Sequence, residues 1–142
     1  MSVQIANTEE EMQTVREIRS TVFIDEQNVS PEEEWDEHEY ESNSVHLLAR
    51  TDSKWAGAGR VRFSGNMGKA ERICVLKEFR GTGIGKEIMQ ALEDYVASQG
   101  AGSVLLNAQT HAKDFYEHLG YVVTSDEFLD AGIPHVAMEK RL

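Results

Sequence analysis

This chain predicts a mixed α+β fold, a central and mostly antiparallel twisted sheet with helices on both faces, and three observations carry that prediction. Val45 to Arg50 and Trp55 to Phe63 read as strands joined around Thr51-Asp52-Ser53-Lys54, and Gly65 to Gly68 turns the chain into a third strand, Lys69 to Leu76, so the three form an antiparallel meander. Two flanking stretches, Glu9 to Phe23 and the run that begins at Ile84, place apolar residues at helical spacing. A short strand, Val104 to Asn107, returns after the second helix, and the usual right-handed crossover makes it a parallel neighbour of the strand before Arg80.

Each element has a local reason. Thr8 is an N-cap, with Glu11 three residues on to complete a capping box, and Met12, Val15, Ile18, Arg19 and Val22 recur at helical spacing on the face that packs inward. Ser30-Pro31 followed by Glu32, Glu33 and Glu34 starts a short second helix, because proline suits a first helical turn. After Gly83, Ile84, Ile88, Leu92, Tyr95 and Val96 share one side of a helix that Gly100 and Gly102 end. A helix near Thr110 to Leu119 is stopped by Gly120, and Tyr121 to Thr124 with His135 to Arg141 close the chain as a strand pair. The sheet then has about six or seven strands, an ordinary size. At 142 residues and 40% hydrophobic content, residues 1–142 form a single domain with one core.

Composition removes whole classes of function. A formal net charge of -11 argues against nucleic acid, which needs a basic footprint. The early Glu9, Glu10 and Glu11, and the lack of a continuous apolar run, give neither a secretion signal nor a membrane span, so cytoplasmic residence is the default. Cys74 is the single cysteine; it excludes an intrachain disulfide, lies inside a strand pattern and reads as core. The spacing around His38 and His46 suits no metal site, and none is predicted. Asp25, Glu26, Glu32, Glu33, Glu34, Asp36, Glu37, Glu39 and Glu41 form an acidic stretch without lysine or arginine among them: either a solvated loop or a field that steers a cationic amine. Lys69, Arg72, Lys77, Arg80 and Lys86 give a local excess of the opposite sign.

That basic cluster surrounds Arg80-Gly81-Thr82-Gly83-Ile84-Gly85-Lys86, placed between a strand and a helix. Glycines let backbone N–H groups approach an anion, and the helix start leaves N–H groups unpaired at its positive end, so the segment suits a pyrophosphate. A triphosphate loop is excluded: only three residues separate Gly81 from Gly85, and Glu87 follows Lys86 where a magnesium-binding hydroxyl belongs. A dinucleotide fingerprint counted from Gly81 needs a small residue where Lys86 stands. The remaining pattern, Arg-x-x-Gly-x-Gly from Arg80 to Gly85, resembles the coenzyme A loop of the GNAT superfamily of N-acetyltransferases. Val104 to Gln109, and Ala112 to Tyr121 with its Phe115-Tyr116 and Gly120-Tyr121, look like the family's next strand and helix end. Arg19 to Gln27 and Gly132 to Met138 are similar to a small bacterial branch, so nearly the whole chain is covered.

The resemblance implies acetyl transfer from acetyl-coenzyme A, as co-substrate, to a primary amine of a small molecule or peptide by direct attack on the thioester. It implies that the strand before the loop splays from its parallel neighbour, with main-chain groups of Val75, Leu76 and Lys77 beside the pantetheine arm. It implies that Arg80, Gly81, Thr82, Gly83, Ile84, Gly85 and Lys86 hold the pyrophosphate, and that Asn107 and Gln109 face the pantetheine or the acceptor. A main-chain N–H near Cys74 or Val75 is the candidate oxyanion donor. Tyr116 is the candidate general acid, placed by the resemblance near the sulfur, or else a packing residue.

At pH 7 a lysine-type amine is almost wholly protonated, and freeing its lone pair costs roughly 4–5 kcal/mol, so a base is valuable. Glu71 is the leading candidate: strict alternation puts it on one strand face with Ile73 and Val75. His111 and His135 rank below it as proton relays. An alternative keeps the cofactor loop but makes the chain a non-catalytic coenzyme A-binding regulatory module. The acceptor is left open, with a weak preference for a cation, and homodimers are common among proteins of this kind.

Overall fold

In the computed structural model, which describes residues 2–38 and 43–142, the chain opens with β1 (Ser2–Ile5) and α1 (Glu9–Arg19). Helix α1 continues without a break as a π-helical segment, Ser20–Glu26, and α2 (Pro31–Glu34) follows. Three long strands come next, β2 (Ser44–Thr51), β3 (Lys54–Ser64) and β4 (Met67–Val75), then α3 (Ile84–Ser98) and β5 (Ser103–Gln109). The chain ends with α4 (Lys113–His118), β6 (Val122–Val123), β7 (Phe128–Asp130) and β8 (Ile133–Arg141). The strands form one sheet in the order β1-β2-β3-β4-β5-β8-β6, with β7 also paired to β8. All neighbours are antiparallel except β4 and β5.

Local chemistry starts these elements as expected. The Thr8 hydroxyl accepts from the Glu11 N–H while the Glu11 carboxylate accepts from the Thr8 N–H, so the capping box is complete. Ser30 caps α2 with Pro31 at its first position. Two strands lie outside the sequence expectation. Segment β1 is four residues long with little burial, and β7 is three residues long, too short for alternation to register.

The sheet is covered on both faces. Val15, Ile18 and Val22 pack with Leu48, Ala58 and Cys74 on one side. Met89, Leu92, Val96 and Tyr116 pack with Val61, Ala70, Leu106 and Met138 on the other. Each of these large aliphatic side chains contributes about 1.5–3 kcal/mol by leaving water. The spacing of α3 is met: Ile84, Ile88, Leu92 and Val96 are all buried.

Strict alternation fails at one place in β4, and that failure reshapes the site. Arg72 has φ +56, and the β3 register slips between Ala58 and Arg60, which marks a β-bulge. Before it, Gly68 and Ala70 face α3 while Lys69 and Glu71 face α1; a Cβ on Gly68 would meet Val96 at 2.5 Å. After it, Ile73 turns to α3, where a Cβ on Gly59 would meet its Cδ1 at 2.8 Å, and Cys74 turns to α1. Glu71 therefore does not share a face with Ile73 and Val75, which corrects the expectation from period-two alternation: one extra residue reverses every side chain beyond it.

Candidate functional site

Parallel pairing of β4 with β5 runs from Met67↔Ser103 to Ala70↔Leu106 and then stops. Beyond it, Ile73 to Val75 and Asn107 to Gln109 line opposite walls of a cleft of about 860 Å³. The Leu76 N–H donates to the Ala56 carbonyl of β3. By strand alternation Val75 therefore directs its own N–H and C=O away from β3, into the gap. There the Val75 carbonyl accepts from Arg80 Nε at 3.0 Å, and Arg80 Nη2 pairs with the Glu26 carboxylate at 2.9 Å. Arg80 thus ties the end of β4 to the end of the π-helical segment.

The loop that follows is shaped by its glycines. Gly81 and Gly83 have φ +79 and +91, and a Cβ at either position would meet nothing within 4 Å, so backbone conformation rather than space requires glycine. Among the described residues, none of the backbone N–H groups from Gly81 to Lys86 finds a hydrogen-bond acceptor; the first helical bond is Glu87 N–H to the Gly83 carbonyl. Six consecutive donors at the start of a 15-residue helix suit the multiple oxygens of a pyrophosphate. The Ile84 side chain is buried in the core, so that residue offers its N–H alone.

A chain of ion pairs covers the α1 side of the cleft. Arg19 Nε meets Glu34 Oε1 at 2.7 Å, Arg72 Nε meets Glu34 Oε2 at 3.0 Å, and Arg72 Nη2 meets Asp36 Oδ2 at 3.2 Å. Arg60, whose side chain is fully buried, forks onto both Asp36 oxygens at 2.9 Å and reaches Glu71 Oε1 at the same distance. Arg62 Nε completes the run at 2.7 Å from Glu71 Oε1. Burial alone would raise the Asp36 carboxyl, but the bonds and charge of Arg60 hold it down at about 2. Burial opposes ionisation at Glu71 too, and hydrogen bonds from Arg62 with the charge of Arg60 win, leaving its pKa below the ordinary carboxylate value. A carboxylate held in its charged form between two guanidinium groups is a weak proton acceptor. The structure thus places Glu71 on the cleft wall and commits its oxygens to arginines.

The acidic stretch divides accordingly. Glu26, Glu34 and Asp36 are paired with arginine and fix the segment from Ser20 to Asp36 over the sheet, unlike the solvated loop that charge alone suggested. Glu32, Glu33 and Glu37 line the cleft without a lysine or arginine side chain as ion-pair partner among the described residues, while Glu39 and Glu41 lie outside those residues. Asp130 from β7 also lines the cleft.

Tyr116 stands between the two walls at the floor of the cleft, edge-on to Phe115 and Tyr121 with ring centroids 5.0 and 5.8 Å away. Its hydroxyl has no hydrogen-bond partner among the described residues, and burial pushes its pKa up, so the phenol keeps its proton. Gln109 donates to the Gln27 side-chain oxygen at 2.8 Å and contacts His111 Nε2 at 2.6 Å. His135, opposite Gln109 in the β5–β8 ladder, lies on the same wall. Cys74 faces α1 and is buried, which pushes its thiol up to about 12 and keeps it protonated. The described residues contain no cluster of three His, Cys, Asp or Glu side chains able to hold a metal. No helix among them is long and apolar enough to cross a membrane.

The arginine chain is what the sequence reading missed. Its signal was present in Ala58-Gly59-Arg60-Val61-Arg62, where two arginines alternate on one face of a strand whose small residues mark it as buried. Such arginines require acids, and Glu71 on the adjacent strand was one of them.

An open α+β sheet with one splayed parallel pair, a glycine loop of free N–H donors and an aromatic floor defines an acyltransferase. Residues 6–142 match the family described as acetyltransferase (GNAT) domain, and the chain belongs to that family. It is 50% identical over 141 residues to YjcF of Bacillus subtilis (strain 168), an uncharacterized N-acetyltransferase, covering 99% of each chain. Its fold is similar to an acyl-CoA N-acyltransferase from Pseudomonas aeruginosa, with TM-score 0.83, 24% identity and coverage of 98% and 97%. It is also similar to an aminoglycoside 6'-N-acetyltransferase complexed with coenzyme A, with TM-score 0.77, 16% identity and coverage of 99% and 97%.

Proposed function

We propose that this enzyme transfers an acetyl group from acetyl-coenzyme A to a primary amine, small or peptide-borne, by direct attack of the amine on the thioester. The observation that carries the reading is the run of six N–H groups from Gly81 to Lys86 that meet no acceptor among the described residues, beside the gap where β4 leaves β5. The coenzyme A complex of the aminoglycoside enzyme, which shares the fold, supports this choice of ligand. Coenzyme A in its acetylated form supplies an activated thioester when bound.

The chain's own groups supply the rest. N–H groups of Gly81, Thr82, Gly83, Ile84, Gly85 and Lys86 hold the pyrophosphate, and Val75, Leu76 and Lys77 form the edge along which the pantetheine arm lies, with Asn107 on the opposite wall. The Val75 N–H, directed into the gap, pairs with the arm or with the thioester oxygen. Tyr116 donates to the sulfur as charge develops there; its raised pKa keeps the proton available, and because a thiol leaves fairly well unaided its contribution is modest. Glu71 positions Arg60 and Arg62 rather than moving a proton. Glu32, Glu33, Glu37 and Asp130, left over after the arginines have taken their partners, favour a cationic acceptor.

The test is mass-spectrometric detection of acetylated products from acetyl-coenzyme A and pooled amines: polyamines, amino sugars, amino acids, aminoglycosides and lysine peptides. A product formed by the wild type, and at least about tenfold more slowly by Tyr116→Phe with coenzyme A binding retained, is expected. Coenzyme A binding without any product would return the chain to a binding module and refute the reading.

A further inference from the structure

We infer that the neutral imidazole of His135 is the base that accepts the amine proton, through Nε2; this rests on the N-acetyltransferase reading above. One hydrogen bond of this ring can run in a single direction. His135 Nδ1 lies 2.6 Å from the Ile133 carbonyl oxygen. A carbonyl oxygen only accepts, so Nδ1 carries the hydrogen, and in the neutral ring the lone pair is on Nε2. Among the described residues no group hydrogen-bonds to Nε2.

Position and support agree. His135 is buried at 8% exposure yet lines the cleft, on the wall shared with its ladder partner Gln109 and with Asn107. Its ring stacks on Phe128 of β7, with centroids 6.0 Å apart and planes 22° from parallel. The ring is thus held on one edge by Ile133 and on one face by Phe128, which leaves the Nε2 edge for the cleft. Gln109 and His111 on the β5 side and Asp130 on the β7 side are the polar groups lining this part of it.

Several other groups that line the cleft are spent or unsuitable as proton acceptors. Glu71 is occupied by Arg60 and Arg62. Cys74 and Tyr116 hold their protons. His111 ends a Gln27–Gln109 amide chain that can be drawn with either amide orientation, so neither of its nitrogens is committed to a lone pair. Of the two histidines at this end of the cleft, His111 and His135, it is His135 whose tautomer is dictated by a group that cannot reverse. The strand that carries it is paired on both sides at this residue, with Gln109 of β5 and Phe128 of β7, which holds Nε2 in place.

Atoms and charges balance in the step. The ammonium gives one proton to Nε2; the nitrogen lone pair forms the N–C bond as the C–S bond breaks, leaving its electron pair on sulfur. Tyr116 protonates the sulfur and recovers a proton from the new amide nitrogen, and the His135 proton passes to water. One proton is released per turnover.

Two measurements test the assignment. In wild-type protein carrying 15N-histidine, without any substrate, the neutral His135 ring is expected to show a protonated Nδ1 and an unprotonated Nε2; the opposite tautomer overturns the proposal. In turnover, His135→Ala is expected to lose at least about a hundredfold in kcat while coenzyme A binding stays within about twofold, with partial rescue by added imidazole. A His135→Ala enzyme as fast as wild type overturns the base role alone, whereas a wild type inactive on every amine overturns the acetyltransferase reading beneath it. The tautomer measurement needs neither a variant that folds nor an acceptor.

Discussion

Replacing Glu71 with glutamine separates two roles that the same residue can be given from sequence. In the structure its carboxylate is 13% exposed and lies 2.9 Å from a guanidinium of the fully buried Arg60 and 2.7 Å from Arg62. Removing one partner of a buried ion pair costs about 3–5 kcal/mol, because the remaining charge is stranded. Arg60 keeps both oxygens of Asp36, so the loss is put just below that range, at about 2–3 kcal/mol. For a chain of this length that lowers Tm by roughly 5–10 °C. With a typical urea slope it moves the midpoint down by about 1 M. The assay is urea unfolding followed by tryptophan fluorescence, with kcat measured well below the transition on whichever amine the product screen identifies. The expected result is a destabilised Glu71→Gln enzyme whose folded fraction keeps kcat within about threefold, since groups outside the proton path change the rate little. An unchanged midpoint with kcat down a hundredfold would refute this reasoning and restore Glu71 as the base.

Three further outcomes follow from the same geometry. Gly83→Ala places a side chain at φ +91 in open space, so the cost is backbone strain of about 1–2 kcal/mol, and coenzyme A affinity should fall about 5- to 30-fold by calorimetry; Gly65→Ala, at φ +58 and equally open, should leave it unchanged. Asp36, with its folded pKa depressed to about 2 from 3.8, contributes stability above pH 3.8 that is lost as pH falls from there through 2. After solvent screening this amounts to about 1–2 kcal/mol, and urea unfolding of Asp36→Asn should lack that part of the acid dependence. Cys74, buried with its thiol pushed up to about 12, should resist Ellman's reagent in the native enzyme and react fully in urea; rapid native labelling would contradict its placement beneath α1.

Elements whose determinants lie within a few residues were legible. The capping box at Thr8 and Glu11, the Ser30-Pro31 helix start and the α3 stripe from Ile84 to Val96 are set by i to i+3 and i to i+4 relations, and the structure shows each of them. The glycine loop was legible for a similar reason: a backbone that must adopt φ +79 and +91 narrows its residues to glycine whatever surrounds it. The bulge at Arg72 was not. Arginine has no intrinsic reason to take φ +56 and does so because its side chain is held by Glu34 and Asp36, whose positions depend on α2 folding over the sheet from 36 or more residues away.

Sequence alone therefore determined the family, the strand–loop–helix with its glycine-shaped run of N–H donors, and Tyr116 as a candidate general acid, because all of these reside in short contiguous motifs. Tertiary structure decided what each titratable group touches. As letters in a chain, Glu71 ranks above His135 as a base. One meets two guanidinium groups brought in from β3, while the other meets a carbonyl that leaves Nε2 open to the cleft. The physical reason is that a side chain's protonation and tautomer are set by its neighbours within about 4–6 Å, and those neighbours are chosen by strand register and by one bulge, not by adjacency in sequence.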